Sequence, residues 1–509
     1  MFSSRLNWDL RPNPLSILLD HKRAQGAEIL DLTESNPTRA GFTYPPEEIL
    51  AALADPAALR YDPSPPGHLI ARQAIASYYR DRGREIAPAD ILLTASTSEA
   101  YAWLFKLLCD PGDEILTPRP SYPLFEFLAA LESVHVRQYP LRYDGAWRID
   151  FPALEASLTN RSRAIVVVNP NNPTGSFIAS EELDRLQSLA ALRGIAILID
   201  EVFSDYRFLP VASAPHTTSN RRERPPSDSA ETAPSVHSQT SRDQRERFKK
   251  ILPREHSERT PAEHSERTPA RDRGAFRAER FKEILPREHS DPTPADPTPI
   301  PSAQALTFRM SGLSKIDEPR PQGAADAEAH QTVVFPRERL QPDHPPQALT
   351  FRMSGLSKIA GLPQLKLGWI AIEGPPDGAA RDRLELIADT YLSVATPVQY
   401  ALPRLLQTSE SIRAQILNRA RANLELLRTL ASGSASNVLN VEGGWYATLQ
   451  VPRTRSEESW ALTLLADHDV LIQPGYFFDF ESEAFLVVSL ITPPEIFAEG
   501  IRRIISLTG

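Results

Sequence analysis

The chain has a single cysteine, Cys109, and only three methionines in 509 residues. One thiol excludes an internal disulfide and any cysteine-based metal cluster, and it suits a reducing compartment. No run approaches 18 apolar residues, so no helix is expected to cross a membrane. The opening MFSSRLNWDLRPNPLS lacks an apolar signal core, which argues against export and for a cytoplasmic location. Basic residues are outnumbered, 56 against 65 acidic, for a net charge of −9. A nucleic-acid partner calls for a basic face that displaces counterions, so none is expected. No metal site is expected either.

Proline is in excess: 47 residues, about 9% of the chain against a usual average near 5%. Proline cannot sit freely inside helices or central strands, because it lacks the donor and clashes with the preceding turn. The excess concentrates between 211 and 346, which holds 19 of the 47 prolines and 7 of the 11 histidines. This stretch carries 22 basic and 21 acidic residues and few apolar clusters. It is expected to stay disordered, because it cannot bury enough surface to offset its ordering entropy. It also repeats itself: ERFKKILPREHS at 246–257 returns as ERFKEILPREHS at 279–290. Each unit has too few large apolar residues to stack as a solenoid. A second repeat, QALTFRMSGLSKI, occurs at 304–316 and again at 347–359. The second copy runs into AGLPQLKLGWIAIE, a turn followed by an apolar strand, and is the one expected to enter the fold.

The remaining sequence alternates in period. Apolar runs at Asp90–Thr94, Ala164–Asn169, Ile195–Asp200 and Leu367–Ile372 read as strands. Helical spacing marks Thr97–Cys109, Ser180–Leu192, Arg381–Leu392 and Ser411–Leu430. Continuous apolar strands between helices indicate a parallel sheet buried on both faces, an α/β protein whose ligand chemistry lies at the carboxyl ends of the strands.

Four motifs sit at such ends. Ser96-Thr97-Ser98-Glu99 fits a capping box and, with its free donors, a ready anion site; a plain helix cap is the alternative. Asn169-Pro170-Asn171-Asn172-Pro173-Thr174-Gly175 has ordinary turn chemistry, yet would project Asn172 at the sheet edge. Asp200 closes an apolar strand, where a carboxylate is costly unless it meets a positive partner or caps the next loop. Lys358 follows Ser357 between apolar residues, with Lys366 eight positions on. It could be tuned into a Schiff-base nucleophile, or be a solvated surface lysine.

Together, TASTSEA (94–100), RPSYPLF (119–125), NPNNPTG (169–175), DEVFSDY (200–206) and SGLSKIAGLPQLKLGW (354–369) resemble the class I/II aminotransferases, pyridoxal-phosphate enzymes of the aspartate-aminotransferase fold. The resemblance takes in nearly all residues outside 211–346, including YDPSPPG (61–67) and PGYFFDF (474–480). It implies a large domain with a mostly parallel sheet flanked by helices, and a smaller α/β domain built from the two chain ends. The corresponding segments are 1–45 (small domain), 46–210 and 347–410 (large domain, around the 211–346 insertion) and 411–509 (small domain).

The resemblance also implies roles. Lys358 would carry pyridoxal 5′-phosphate and shuttle the substrate's proton, and Asp200 would pair with the ring nitrogen. Asn172 would bond the ring's 3-oxygen, Tyr122 would stack on the ring, and Ser96, Thr97, Ser98 and Lys366 would hold the phosphate, with Ser357 beside them. Tyr61 would reach the phosphate of a partner subunit, which makes the active form a homodimer with shared sites. The substrates would be an α-amino acid and a 2-oxo acid.

Three positions depart from the family. Phe203 replaces a tyrosine that donates to the 3-oxygen, which should raise the pKa of the lysine–cofactor linkage. Lys366 replaces an arginine fork with a point charge. Val487 stands in the last strand, FLVVSLITPP, where an arginine usually grips the substrate carboxylate. Arg39, in the ESNPTRAGF segment, is the expected replacement, with Asn36 and Asn172 as the other expected substrate contacts, and Arg352 is a weaker replacement. Phe42, Tyr44, Phe477 and Phe478 fit either a hydrophobic substrate pocket or the core. Transamination is the leading reading. The missing arginine keeps a lyase or decarboxylase open, and a non-catalytic cofactor-binding regulator is a remote third.

Overall fold

The computed structural model describes residues 2–6, 8, 11–208, 347–375 and 378–509, and its centre is an eight-stranded sheet. In chain order the strands are β1 (Leu30–Asp31), β2 (Ile91–Thr94), β3 (Glu114–Arg119), β4 (His135–Tyr143), β5 (Trp147–Ile149), β6 (Ser162–Val168), β7 (Ala196–Asp200), β8 (Thr350–Gly355) and β9 (Gly368–Glu373). They continue with β10 (Asn437–Val438), β11 (Tyr446–Gln450), β12 (Val470–Leu471), β13 (Gln473–Pro474) and β14 (Phe485–Ser489). The large sheet runs β2-β9-β8-β7-β6-β3-β4-β5. Neighbours from β8 through β4 pair in parallel, while β9 and β5 run antiparallel to their partners. Every residue of β2, β7 and β8 is buried, as continuous apolar strands covered on both faces require.

The expected strands all form, with ends moved by one or two residues. Helices Thr97–Leu108, Ser180–Arg193 and Ala379–Tyr391 match the sequence reading closely. The Ser180–Arg193 helix stops at Gly194, in the left-handed conformation (φ 64°) that ends helices at little strain.

One helix is much longer than its sequence suggests. The expected Ser411–Leu430 segment is the second half of a 36-residue helix, Thr396–Ala431, with Pro403 inside it. An internal proline costs a helix about 3 kcal/mol and normally marks a break. Here Val398, Ala401, Leu402 and Leu405 are buried around it, and packing outweighs the local penalty. Residue 410, the expected segment boundary, therefore lies in mid-helix.

The chain ends meet. β1 pairs in parallel with β12, placing Leu30 beside Val470 and Asp31 beside Leu471. β11 and β14 form the middle of a four-stranded sheet, β10-β11-β14-β13. Leu15 and Leu32 from the amino end share a buried cluster with Leu424, Trp460, Leu486 and Phe497.

The 211–346 stretch and the first repeat copy lie outside the described residues. The second copy supplies β8 and the short helix Leu356–Ile359. Because β7 and β8 are parallel, with Ile197 opposite Thr350 and Asp200 opposite Met353, the chain between them must return from the carboxyl to the amino end of the sheet. With 211–346 cut out, residues 201–210 and 347–349 still join β7 to β8 and supply the roughly dozen residues that a parallel crossover needs, so the insertion should be dispensable. The shortened protein should keep its melting temperature within a few degrees and still bind pyridoxal phosphate. Loss of pyridoxal phosphate binding on fusing 210 to 347 would show that the boundary of the insertion is misplaced.

Candidate active site

Chain segments that leave the carboxyl ends of β2, β3, β6, β7 and β8 line a cavity of about 290 Å³. Its walls include Ser96, Thr97, Ser98, Tyr122, Asn172, Asp200, Phe203, Ser357, Lys358 and Lys366. The sequence thus names ten groups that the fold brings to one place.

Two glycine contacts set the walls. A Cβ on Gly355 would lie 2.9 Å from the Gly368 Cα, so β8 and β9 can close together just before Lys358 only without side chains there. Gly175 ends the Asn-Pro turn at φ +68°, and a Cβ there would meet the Gly443 carbonyl at 2.5 Å. Its own carbonyl accepts from the Gly443 N–H at 3.0 Å, tying the Asn172 turn to the segment that leads into β11.

Asp200 is buried, and its carboxylate accepts from the Tyr101 hydroxyl and the Val202 N–H, both at 3.1 Å. Burial pushes its pKa up to about 6, against the pull of those two donors. Lys358 shares the same water-poor space. Burial pulls its pKa down to about 8, while the Asp200 charge acts the other way. Its carbonyl accepts from the Tyr206 hydroxyl at 2.7 Å.

At the opposite wall Ser96 caps the Thr97–Leu108 helix, accepting from the Glu99 N–H at 3.2 Å. Glu99 reaches back to the Ala95 N–H at 2.6 Å, one residue before the cap, and also accepts from Ser393 at 2.7 Å. The expected capping box is therefore present in a shifted form. The helix start faces the cavity beside Lys366, a combination that favours an anion.

The set fits the cofactor that the resemblance implies. It offers an anion cradle, a buried carboxylate for a protonated ring nitrogen and an amine of lowered pKa for a carbonyl. Asn172 lines the same cavity, and its amide N–H can donate to an oxygen of the ligand, while its side-chain oxygen is buried without a hydrogen-bond partner. Tyr122, at 43% exposure, is also part of the cavity wall.

Other expected residues lie elsewhere. Tyr61 is 81% exposed and does not line the cavity of its own chain. The Asn36 amide oxygen is turned onto its own loop, accepting from the Thr38 N–H at 3.1 Å and hydroxyl at 2.8 Å. Arg39 is exposed and outside the walls. Arg352 is corrected outright: it is buried in ion pairs with Glu201 and with Glu373 at 2.8 Å, so it cannot serve a substrate. Val487 is fully buried in β14, between Thr448 and Gln473. Phe42, Tyr44, Phe477 and Phe478 pack with the core cluster and do not line the cavity.

Sequence reasoning missed Ser35, Tyr101, Leu124, Leu128, Val202 and Tyr446. Tyr101 was detectable, because it follows Thr97 by four residues and so shares its helix face. Tyr446 was not, because it reaches the cavity only through the pairing of β11 with β14.

A family model described as "Aminotransferase class I and II" matches residues 27–223 and 327–504. The chain is 30% identical over 230 residues to the tyrosine aminotransferase of Mus musculus, a match covering 41% of this chain and 50% of that one. It is 33% identical over 191 residues to the glutamate-pyruvate aminotransferase AlaA of Escherichia coli, covering 37% and 47%. The chain spans about half the length of the curated relatives it matches. An aminotransferase structure from Escherichia coli superposes with a TM-score of 0.66 at 19% identity, covering 99% of this chain and 98% of that one. The alanine aminotransferase of Pyrococcus furiosus gives 0.66 at 18%, covering 100% and 99%. These two structural likenesses establish the fold.

The Tyr101 hydroxyl supports the charged form of Asp200, so Tyr101→Phe should move the Asp200 pKa upward from about 6. A ring nitrogen pairs only with the ionised carboxylate, so cofactor affinity should fall as pH drops through that pKa. In the variant the fall should begin at higher pH. At neutral pH the affinity should drop roughly tenfold or more, the scale of one hydrogen bond to a charged group. Fluorescence titration of cofactor binding between pH 5 and pH 8 checks both, and identical curves for the two proteins would refute the role of Tyr101.

Proposed function

The chain belongs to the class I and II aminotransferases, and from that membership we propose that it moves an amino group between an α-amino acid and a 2-oxo acid by ping-pong exchange on pyridoxal 5′-phosphate. The observation that carries this reading is the meeting of Lys358, Asp200 and Asn172 in one cavity that ends on a helix start.

Pyridoxal phosphate, when bound, supplies an electron sink that makes the substrate's Cα proton removable. Asp200 holds the ring nitrogen in its protonated form, and Tyr101 keeps Asp200 charged. Ser96, Thr97, Ser98 and Lys366 hold the phosphate, and Tyr122 covers one ring face. Lys358 would hold the cofactor through its carbonyl carbon, and its amine would move the proton of the substrate's Cα. Burial suits it to this, because lowering its pKa toward neutrality leaves far more of it uncharged near neutral pH than an ordinary lysine. Phe203 leaves the ring's 3-oxygen to Asn172. Of the expected substrate contacts only Asn172 lines the cavity, so it is the group proposed to meet the substrate carboxylate.

Two further parts of the reading concern the whole molecule. Tyr61 is exposed and does not line its own cavity, which supports a homodimer in which it completes the partner's site. One half-buried thiol in 509 residues is consistent with a reducing cytoplasm. Among the described residues no helix is long and apolar enough to cross a membrane.

A panel of amino acids added to the holoenzyme should convert the bound cofactor to its amine form, seen as loss of the carbonyl-form absorbance, and a 2-oxo acid should restore it. A broad panel that leaves the spectrum unchanged would sink the reading. The dimer is tested separately by mixing inactive Tyr61→Ala and Lys358→Ala chains. Hybrids should regain activity, because one of their two sites then holds both native residues. No recovery on mixing would place Tyr61 outside the site.

A further inference from the structure

We propose that Trp445 is a positioning residue for Lys358: its indole face receives the protonated amine and holds it at the cavity wall. This rests on the reading above that Lys358 is the reacting amine. The Lys358 Nζ lies 4.9 Å from the centroid of the Trp445 ring and 5.7 Å from that of Phe203, both within the ~6 Å range of cation–π attraction.

The rings form a braced unit. Trp445 packs edge to face on Phe203 and on Tyr206, each at 5.2 Å between centroids. Tyr206 in turn donates to the Lys358 carbonyl at 2.7 Å, so the same unit touches the lysine at its backbone and at its amine. The indole is fixed from its own backbone too. The Trp445 carbonyl accepts from the Leu490 N–H at 2.7 Å, and the preceding Gly444 N–H donates to the Tyr206 carbonyl at 2.9 Å. Gly443 permits this approach, because a Cβ there would lie 2.4 Å from that same carbonyl.

Packing alone does not explain a tryptophan here. The side chain is fully buried, yet its Nε1 has no hydrogen-bond partner, a loss that phenylalanine or leucine would not incur. Its advantage over either is the ring face, which attracts a cation more strongly than any other side chain's. The titratable groups around Lys358 are Asp200 from β7, Tyr101 from the Thr97–Leu108 helix, Tyr122 after β3, Lys366 before β9 and Tyr446 in β11. Asp200 supplies the one negative charge among them, and in the reading above it is engaged by the ring nitrogen during turnover. When Lys358 has taken the Cα proton it is an ammonium in a site that burial makes hostile to charge. The indole face, nearer than the Phe203 ring, is then the main support left for that cation.

The test titrates Lys358 in cofactor-free protein and needs no turnover. Its arylation by 1-fluoro-2,4-dinitrobenzene is followed against pH by peptide mass spectrometry, with melting curves to check the fold. Trp445→Leu should move the midpoint down by roughly half to one pH unit, because the ammonium loses its support. Trp445→Phe, which keeps a ring in place, should move it down by less and carries the test if the leucine variant fails to fold. An unchanged midpoint would overturn the proposal. So would an upward shift, which would mean that the indole serves only to keep water away. Neither outcome bears on whether the protein transaminates, which the amino-acid panel decides.

Discussion

The site depends on Asp200 and Lys358 sharing one poorly hydrated space. Burial works against both charges, pushing the carboxyl up to about 6 and pulling the amine down to about 8. Each pKa is thereby moved toward neutrality; the Val202 and Tyr101 hydrogen bonds, and after them Lys358, favour the charged carboxylate, while Asp200 favours the charged amine. A ligand that brings a protonated nitrogen to Asp200 and a carbonyl to Lys358 relieves both at once. The same two residues placed on an open surface would be a solvated ion pair of little consequence.

The sheet sets that proximity. Asp200 is the last residue of β7 and pairs across the ladder with Met353, so β8 runs only two residues further before its chain turns into the helix bearing Lys358. The next residue after Asp200 shows what strand alternation accomplishes. Glu201 is also buried, but points to the opposite face, where it meets Arg352, itself bound to Glu373. Adjacent carboxylates thus have separate fates: one finds a permanent partner, and the other is left for a ligand. The same geometry removes Arg352 from the list of substrate contacts, because its side chain serves Glu201.

Much of this is legible in the sequence because it is local. A strand that ends in Asp, a Ser-Thr-Ser run that opens a helix and an Asn-Pro-Gly turn after an apolar run each declare their place within a few residues. Their common location follows from the rule that a parallel sheet presents its loops at one edge. The choice between two identical lysine copies was also readable, since only the second continues into an apolar strand. The unreadable parts are those that tertiary packing decides. Nothing around Pro403 says that burial will carry a helix through it. Nor does any local pattern place Trp445 beside a lysine 87 positions earlier.

Val487 illustrates a departure whose consequence depends on structure. In sequence it is only a missing arginine. In the fold its side chain is fully buried, opposite Thr448, and packs with the core cluster that also contains Phe203 and Trp445. An arginine there would have to bring a guanidinium into an apolar wall, at a desolvation cost that a bound carboxylate would have to offset each time. The wall is instead made of rings and aliphatic groups, and those rings stand against the lysine. Val487 and the rings beside Lys358 thus belong to one buried cluster, in which a guanidinium without a partner would be costly.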